Sequence, residues 1–244
     1  MRPILASAER WGVSGSVALA ALALPLLGVA VLPVLWLVNE DVFRFLTAED
    51  GPIEYTQFGA FVVGAIVSGL IAVQRWSTGH HGQATLFAMV ALGLVVISGE
   101  EISWGQRIFG FQAPDALRRI NEQDEMTFHN ITGVLLIFNI GMLLASLYSV
   151  VAEPIGRRLH VAERWPSAEV LFMPPLFLSA AFAVMAVFRV VRLTVIEGGF
   201  GVNRIGEWAE LCFALALLSF LSLALRRLRV AEPAKREELV AAER

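Results

Sequence analysis

The chain has 244 residues, of which 57% are hydrophobic and only 17% are charged, a composition too apolar for a soluble domain. Its net charge of −3 and the lack of a basic stripe exclude a nucleic-acid-binding role, and its one cysteine, Cys212, excludes an intramolecular disulfide. Eighteen of the nineteen basic residues are arginine, which favours a GC-rich bacterial source.

Six apolar stretches approach the roughly 20 residues that a helix needs to cross a bilayer. We therefore predict an all-α, polytopic membrane bundle with a single transmembrane domain, 1–225, and a charged cytoplasmic tail, 226–244. The predicted spans are about 15–38, 55–74, 82–103, 128–151, 170–190 and 205–225. Pro174-Pro175 predicts a kink in the fifth span, because proline cannot donate a helical hydrogen bond.

The charges of the connecting segments predict the orientation. With six spans both termini share one side, and that side carries 12 of the 19 basic residues, whereas the other side carries 14 of the 22 acidic ones. Basic residues concentrate on the cytoplasmic side of membrane proteins. We therefore expect an inner-membrane, multi-pass protein with cytoplasmic termini.

Two segments on the predicted periplasmic side connect helices. Residues 39–50 read as a solvated loop, and Ala113-Pro114-Asp115 reads as the start of a short helix on the membrane surface.

Unusual polar residues fall at the periplasmic ends of several spans, and this is the strongest functional signal. Charged groups at that depth are costly, so by default they mark a functional site. They are Glu54 and Gln57 in the second span, Glu100, Glu101 and Arg107 after the third, Glu122, Glu125, His129 and Asn130 before the fourth, Arg189 and Arg192 in the fifth, and Arg204, Glu207 and Glu210 in the sixth. We expect these side chains to meet in one pocket between facing helices.

Two kinds of chemistry fit such a pocket. Glu101, His129 and Glu100 are the candidate catalytic residues, with a carboxylate as general base or acid and the imidazole as proton shuttle. Alternatively, a divalent metal is the candidate cofactor, since carboxylates and imidazole are metal ligands. Its candidate ligands are Glu54, Glu101, Glu125, His129 and Glu207. The candidate substrate-binding residues are Arg107, Arg204, Trp104 and Asn130.

Structural interpretations compete with both. The carboxylates can simply neutralise the neighbouring arginines in a buried ion-pair network. A single histidine at a helix start is also commonly a hydrogen-bonded structural residue rather than a ligand.

The segment Gly99–Arg107, GEEISWGQR, together with Asn121, Gln123, Glu125 and His129-Asn130, resembles a family of uncharacterised bacterial six-helix membrane proteins. That resemblance covers roughly residues 49–211, and it implies topology rather than mechanism. The Glu100-Glu101 pair is also similar to the paired glutamates of the CAAX-protease and bacteriocin-processing intramembrane peptidases. Here Arg107 lies six positions after Glu101 instead of four, and Phe128-His129 supplies one histidine motif instead of two.

Three functions follow as expectations. The first is a membrane-embedded, hydrolase-like enzyme that acts on a lipid, lipid-linked or peptide substrate at the periplasmic face. The second is a transport or ion-binding protein, and the third is a structural or assembly subunit of a membrane complex. The lipid bilayer is the partner common to all three.

Overall fold

The computed structural model describes residues 1–115, 119, 126–128, 131, 133–194 and 199–242, with side chains for all of these except Arg107, Pro166 and 231–242. The described residues are almost entirely helical and include no strand. The α-helices are α1 Arg2–Arg10, α2 Gly15–Val38, α3 Glu40–Thr47, α4 Pro52–Ser77, α5 His81–Glu101, α6 Gln106–Phe109, α7 Val134–Arg158, α8 Val161–Arg164, α9 Pro166–Phe172, α10 Ser179–Thr194 and α11 Phe200–Ala242.

Six segments of the described chain are long and apolar enough to cross a membrane, as the sequence predicts. They are α2, α4, α5, α7, the α9–α10 region and α11 up to Val230. The bounds of α2 match the predicted first span, and Ser14 caps it by accepting a hydrogen bond from the Val17 N–H. Pro52 starts α4 in the first turn, where proline is favoured.

The predicted kink at Pro174-Pro175 is a complete break in the fifth span. Helix α9 ends at Phe172, and the chain resumes as a 3₁₀ turn, Leu176–Leu178, before α10. Two consecutive prolines remove two backbone donors, so the helix cannot continue through them.

The expectation of a solvated loop over 39–50 is wrong. Residues 40–47 form α3, whose N-cap is Asn39, and Phe43 on this helix is fully buried. Helix α11 continues beyond the sixth span through most of the charged tail, as far as Ala242. Residues 116–118 and 120 of the predicted surface helix lie outside the described residues.

The helices pack in an arc. Helix α5 packs on α4, α4 on α11, α11 on α10, and α10 on α7. Helix α2 packs against α10 and α11. The core therefore lies along α4, α10 and α11, with Phe61, Phe182, Phe213 and Leu221 among its buried side chains.

Helix α1 and residue Arg226 of α11 lie at the same end of the bundle, where buried polar contacts fix α1. Glu153 of α7 is 2% exposed, and it accepts hydrogen bonds from the Ser7 hydroxyl at 2.6 Å, from the Arg10 guanidinium and from the Leu176 N–H. Arg226 of α11 donates to the Trp11 carbonyl at 2.5 Å. The amphipathic helix α1 is thus anchored to the fourth, fifth and sixth spans at once.

Candidate functional site

A cavity of about 470 Å³ lies at the end of the bundle opposite the termini. Its described lining includes six carboxylates and three guanidinium groups, contributed by α4, α5, α10, α11 and the turn after α3. They are Glu49, Glu54, Glu100, Glu101, Glu207 and Glu210, with Arg189, Arg192 and Arg204. Polar residues from separate spans therefore meet in one space.

The GEEISWGQR segment forms a tight turn at the rim of this cavity. Helix α5 ends at Glu101, and Ser103, Trp104 and Gly105 all have left-handed φ angles of 46°, 53° and 79°. This turn carries the Trp104 ring back over Gly99, where an added Cβ would lie 2.9 Å from the ring. Glycine at 99 thus makes room for the ring, and glycine at 105 adopts its positive φ without steric cost.

Glu100 holds this turn together. One carboxylate oxygen accepts the Trp104 indole N–H at 2.6 Å, and the other accepts the Phe128 backbone N–H at 2.6 Å. Gln106 supports the same connection by accepting the Met126 N–H at 2.6 Å. These contacts hold residues 126–128 against the end of α5. Glu100, a candidate catalytic residue, therefore has a structural role in the described geometry.

Glu101 differs from its neighbour. It lines the cavity, and within the described part of the chain its carboxylate has no hydrogen-bond or ion-pair partner. Glu54, Glu207, Glu210 and Arg189 all lie within electrostatic reach of it. Three glutamates around a fourth repel one another, and this repulsion favours a ligand that brings a positive charge or a proton.

Glu54 and Glu207 flank this carboxylate from α4 and α11. Glu54 accepts a hydrogen bond from the Asp50 N–H, which closes the turn before α4. Gln57, one turn later and fully buried, donates to the backbone carbonyl of Glu207 at 2.6 Å and so joins the two helices.

Arg189 is the most buried cation of the site, at 4% exposure. It donates to the Asn139 side-chain oxygen at 2.7 Å and to the Glu210 carboxylate at 2.8 Å. Its guanidinium also lies 5.2 Å from the Phe138 ring centroid, within cation–π range. Its Nε is buried with no hydrogen-bond partner among the described residues.

Arg192 and Arg204 occupy the outer part of the cavity. Arg192 donates through one amino group to the Asn203 side chain at 2.7 Å. Arg204 donates to the Thr47 carbonyl at 3.0 Å, and its other amino group lies 3.8 Å from the Glu49 carboxylate. Part of the cluster is therefore an ion-pair network, as the structural interpretation predicts.

Not every predicted site residue is placed here. Glu125, His129, Asn130 and the Arg107 side chain lie outside the described residues. Trp104 does not line the cavity, because its ring packs on Gly99 and its indole faces Glu100. Among the residues that the structure describes, no group of three or more His, Cys, Asp or Glu side chains is arranged to hold a metal ion. The predicted metal set includes Glu125 and His129, so it stays a prediction.

The structure adds several residues that sequence reasoning missed. Glu49 reaches the cavity because the turn after α3 folds back towards α11. No local sequence pattern predicts this change of chain direction. The apolar wall, half of which is aromatic, was also missed, since these residues look like ordinary span residues. It comprises Val96, Ile97, Phe128, Val134, Leu135, Phe138, Phe188 and Phe200.

Comparisons with protein-family models, with curated proteins and with solved structures find no match to this chain. The fold is that of an all-helical bundle whose six apolar helices fit a multi-pass membrane protein.

Proposed function

We propose that this chain is a multi-pass protein of a bacterial inner membrane, with cytoplasmic termini and the cavity at the periplasmic face. The six apolar spans and the basic residues gathered at the end that carries both termini support this orientation.

Single cysteines test the orientation in a Cys212→Ser background. Asp41 and Thr78 are exposed and lie at opposite ends of the bundle. A membrane-impermeant maleimide added to intact cells with a permeable outer membrane should label Asp41→Cys and spare Thr78→Cys. The reverse pattern would overturn the orientation, and disruption of the inner membrane should expose both positions equally.

We further propose that the cavity is the active site of a membrane-embedded hydrolase whose substrate is amphiphilic, with Glu101 as general base. One observation carries this proposal: Glu101 faces a cavity that also holds arginines and has no partner in the described chain, whereas both oxygens of Glu100 are occupied. A carboxylate without a structural partner is free to exchange a proton with a bound water.

The chemistry assigns each group a role. Glu101 takes one proton from water as the water oxygen bonds to the carbonyl carbon or phosphorus of a substrate ester. The ester bond to the leaving oxygen then breaks, and that oxygen receives the proton held by Glu101. Arg189 and Arg192 stabilise the negative charge on the oxygens of the reacting centre.

Lipid turnover tests this proposal. Purified protein is reconstituted with total lipid from its bacterial host, and product lipids are followed over time by mass spectrometry. Wild type and the surface control Glu163→Gln should generate a new product at equal rates, while Glu101→Gln should lower the rate at least 100-fold and keep the wild-type melting temperature. Identical lipid profiles for wild type and Glu101→Gln would refute the hydrolase.

A structural or assembly subunit is the second candidate, and the ion pairs of Arg189 with Glu210 and of Arg204 with Glu49 favour it. This alternative would be supported by copurification of a stoichiometric partner together with a Glu101→Gln variant whose lipid profile does not differ from that of wild type.

A further inference from the structure

In the part of the chain that the structure describes, the arc of helices leaves one side of the cavity without a packed helix pair. The cavity is lined from α4, α5, α7, α10 and α11, but α2 contributes no lining residue. Helices α5 and α7 are the two ends of the arc, and along the described residues they do not pack closely against each other. Both nevertheless contribute to the cavity wall, so among the described residues no pair of packed helices separates the cavity from the outside of the bundle on this side.

The walls of this gap are apolar. On its two sides, Val96 and Ile97 line the cavity from α5, and Val134, Leu135 and Phe138 line the cavity from α7. Val96 is 42% exposed and Val134 is 41% exposed, so each contacts the cavity and the surroundings at once. In a bilayer those surroundings are acyl chains, and an apolar passage that ends at a charged chamber matches the shape of a lipid.

The charges that line the cavity indicate which kind of lipid headgroup it would bind. Carboxylates outnumber guanidinium groups two to one in the described lining, and Glu101 has no partner there. The buried Nε of Arg189 also lacks an acceptor among the described residues, and Arg192 uses only one amino group, towards Asn203. A headgroup with both an ammonium and a phosphate would pair its ammonium with the surplus carboxylates and its phosphate with the guanidinium groups that line the same cavity.

We propose that the gap between α5 and α7 is a lateral portal for a phospholipid with an amine-bearing, zwitterionic headgroup. One acyl chain lies between Val96 and Leu135, the ammonium lies beside Glu54 and Glu207, which flank Glu101 and leave it open to water, and the phosphate lies beside Arg189 and Arg192. This inference rests on the proposed membrane location and names the substrate class of the same cavity.

Lipid retention tests the portal. The protein is delipidated in mild detergent, phosphatidylethanolamine or phosphatidylglycerol is added, and bound lipid is counted by native mass spectrometry. Val96→Trp and Leu135→Trp obstruct the gap, whereas Val95→Trp and Leu136→Trp place the same ring at neighbouring exposed positions that do not line the cavity. We expect one retained phosphatidylethanolamine in wild type and both controls, and at least a tenfold loss in both obstructing variants. Equal retention in obstructed and control variants would overturn the portal.

Wild-type protein provides a second measurement that needs no substitution. A phosphatidylethanolamine with a photoreactive diazirine in one acyl chain should label residues 96–97 and 134–138. Excess unlabelled phosphatidylethanolamine should suppress this labelling about tenfold more effectively than phosphatidylglycerol does. Labelling there that no lipid suppresses would overturn the portal, and equal competition by the two lipids would overturn the headgroup assignment.

The test of the portal and the test of the proposed hydrolase can fail independently of each other. If lipid is retained in the gap but Glu101→Gln leaves lipid turnover unchanged, the hydrolase fails and the portal stands. If Glu101-dependent turnover is found while no lipid is retained or specifically labelled, the portal fails and the hydrolase stands.

Discussion

The indole nitrogen of Trp104 donates a 2.6 Å hydrogen bond to the carboxylate of Glu100, four residues earlier, and this contact separates two adjacent glutamates into different roles. Both carboxylate oxygens of Glu100 accept hydrogen bonds that hold the turn, whereas Glu101 lines the cavity. The division follows from the left-handed turn at residues 103–105, which brings the tryptophan back over the helix end.

Glu100→Ala should destabilise the protein by about 1–3 kcal/mol, because it leaves two donors without their charged acceptor. Glu101→Gln should not destabilise the protein by more than about 0.5 kcal/mol, since no described hydrogen bond is lost and the repulsion among four carboxylates is relieved. Thermal unfolding in one detergent compares the two variants. If Glu101→Gln proved as destabilising as Glu100→Ala, the assignment of a structural role to Glu100 and not to Glu101 would be wrong.

Arg189→Ala should cost about 3–5 kcal/mol, because it removes the cation that pairs with Glu210 and leaves Asn139 without its donor. A double-mutant cycle with Glu210→Ala should give a coupling of about 0.5–3 kcal/mol. Denaturant unfolding measures both quantities. Strictly additive losses would show that the two side chains do not interact.

Gly28→Ala should destabilise the packing of α2 on α11 by about 1–3 kcal/mol. A Cβ at this position would lie 2.0 Å from the Trp208 ring, whose indole donates to the Pro25 carbonyl at 3.0 Å. Gly69→Ala is the matched control, because nothing lies within 4 Å of its added Cβ. The control should be neutral or slightly stabilising, since alanine is the better helix former. Equal melting temperatures for the two variants would contradict the close approach of Trp208.

Glu153→Gln should release α1, because a neutral amide replaces the charged acceptor shared by Ser7, Arg10 and Leu176. Limited trypsin digestion should then cleave after Arg10 at least tenfold faster than in wild type. Glu163→Gln alters a glutamate whose described partner is the exposed His160, so it should leave the cleavage rate unchanged. An unchanged rate in Glu153→Gln would mean that the Glu153 contacts do not hold α1 in place.

Hydropathy predicts the six spans because each must cover an apolar bilayer with its own backbone hydrogen bonds satisfied. The first span agrees to the residue, since Ser14 caps it and Asn39 ends it. The fourth begins at Val134 rather than near 128. Residues 126–128 are drawn to the end of α5 by Glu100 and Gln106, and a contact across 28 residues leaves no mark on local hydropathy.

The sequence likewise predicts some features of the cavity and misses others. Clustered charges at span ends predict that Glu54, Glu101, Arg189, Arg204 and Glu207 meet, and all five line one cavity. The sequence does not reveal which glutamate serves the turn and which faces the cavity. That distinction depends on the positive φ of Trp104, a residue type that rarely adopts it. The roles predicted for His129, Glu125 and Asn130 stay predictions.

The attachment of α1 constrains the order in which the molecule is assembled. Ser7 meets Glu153 across 146 residues, and the Trp11 carbonyl meets Arg226 across 215. During synthesis the amino-terminal helix can therefore complete its docking only after the sixth span has left the ribosome. The full set of contacts made by α1 and Trp11 therefore exists only when the fourth, fifth and sixth spans are all in place.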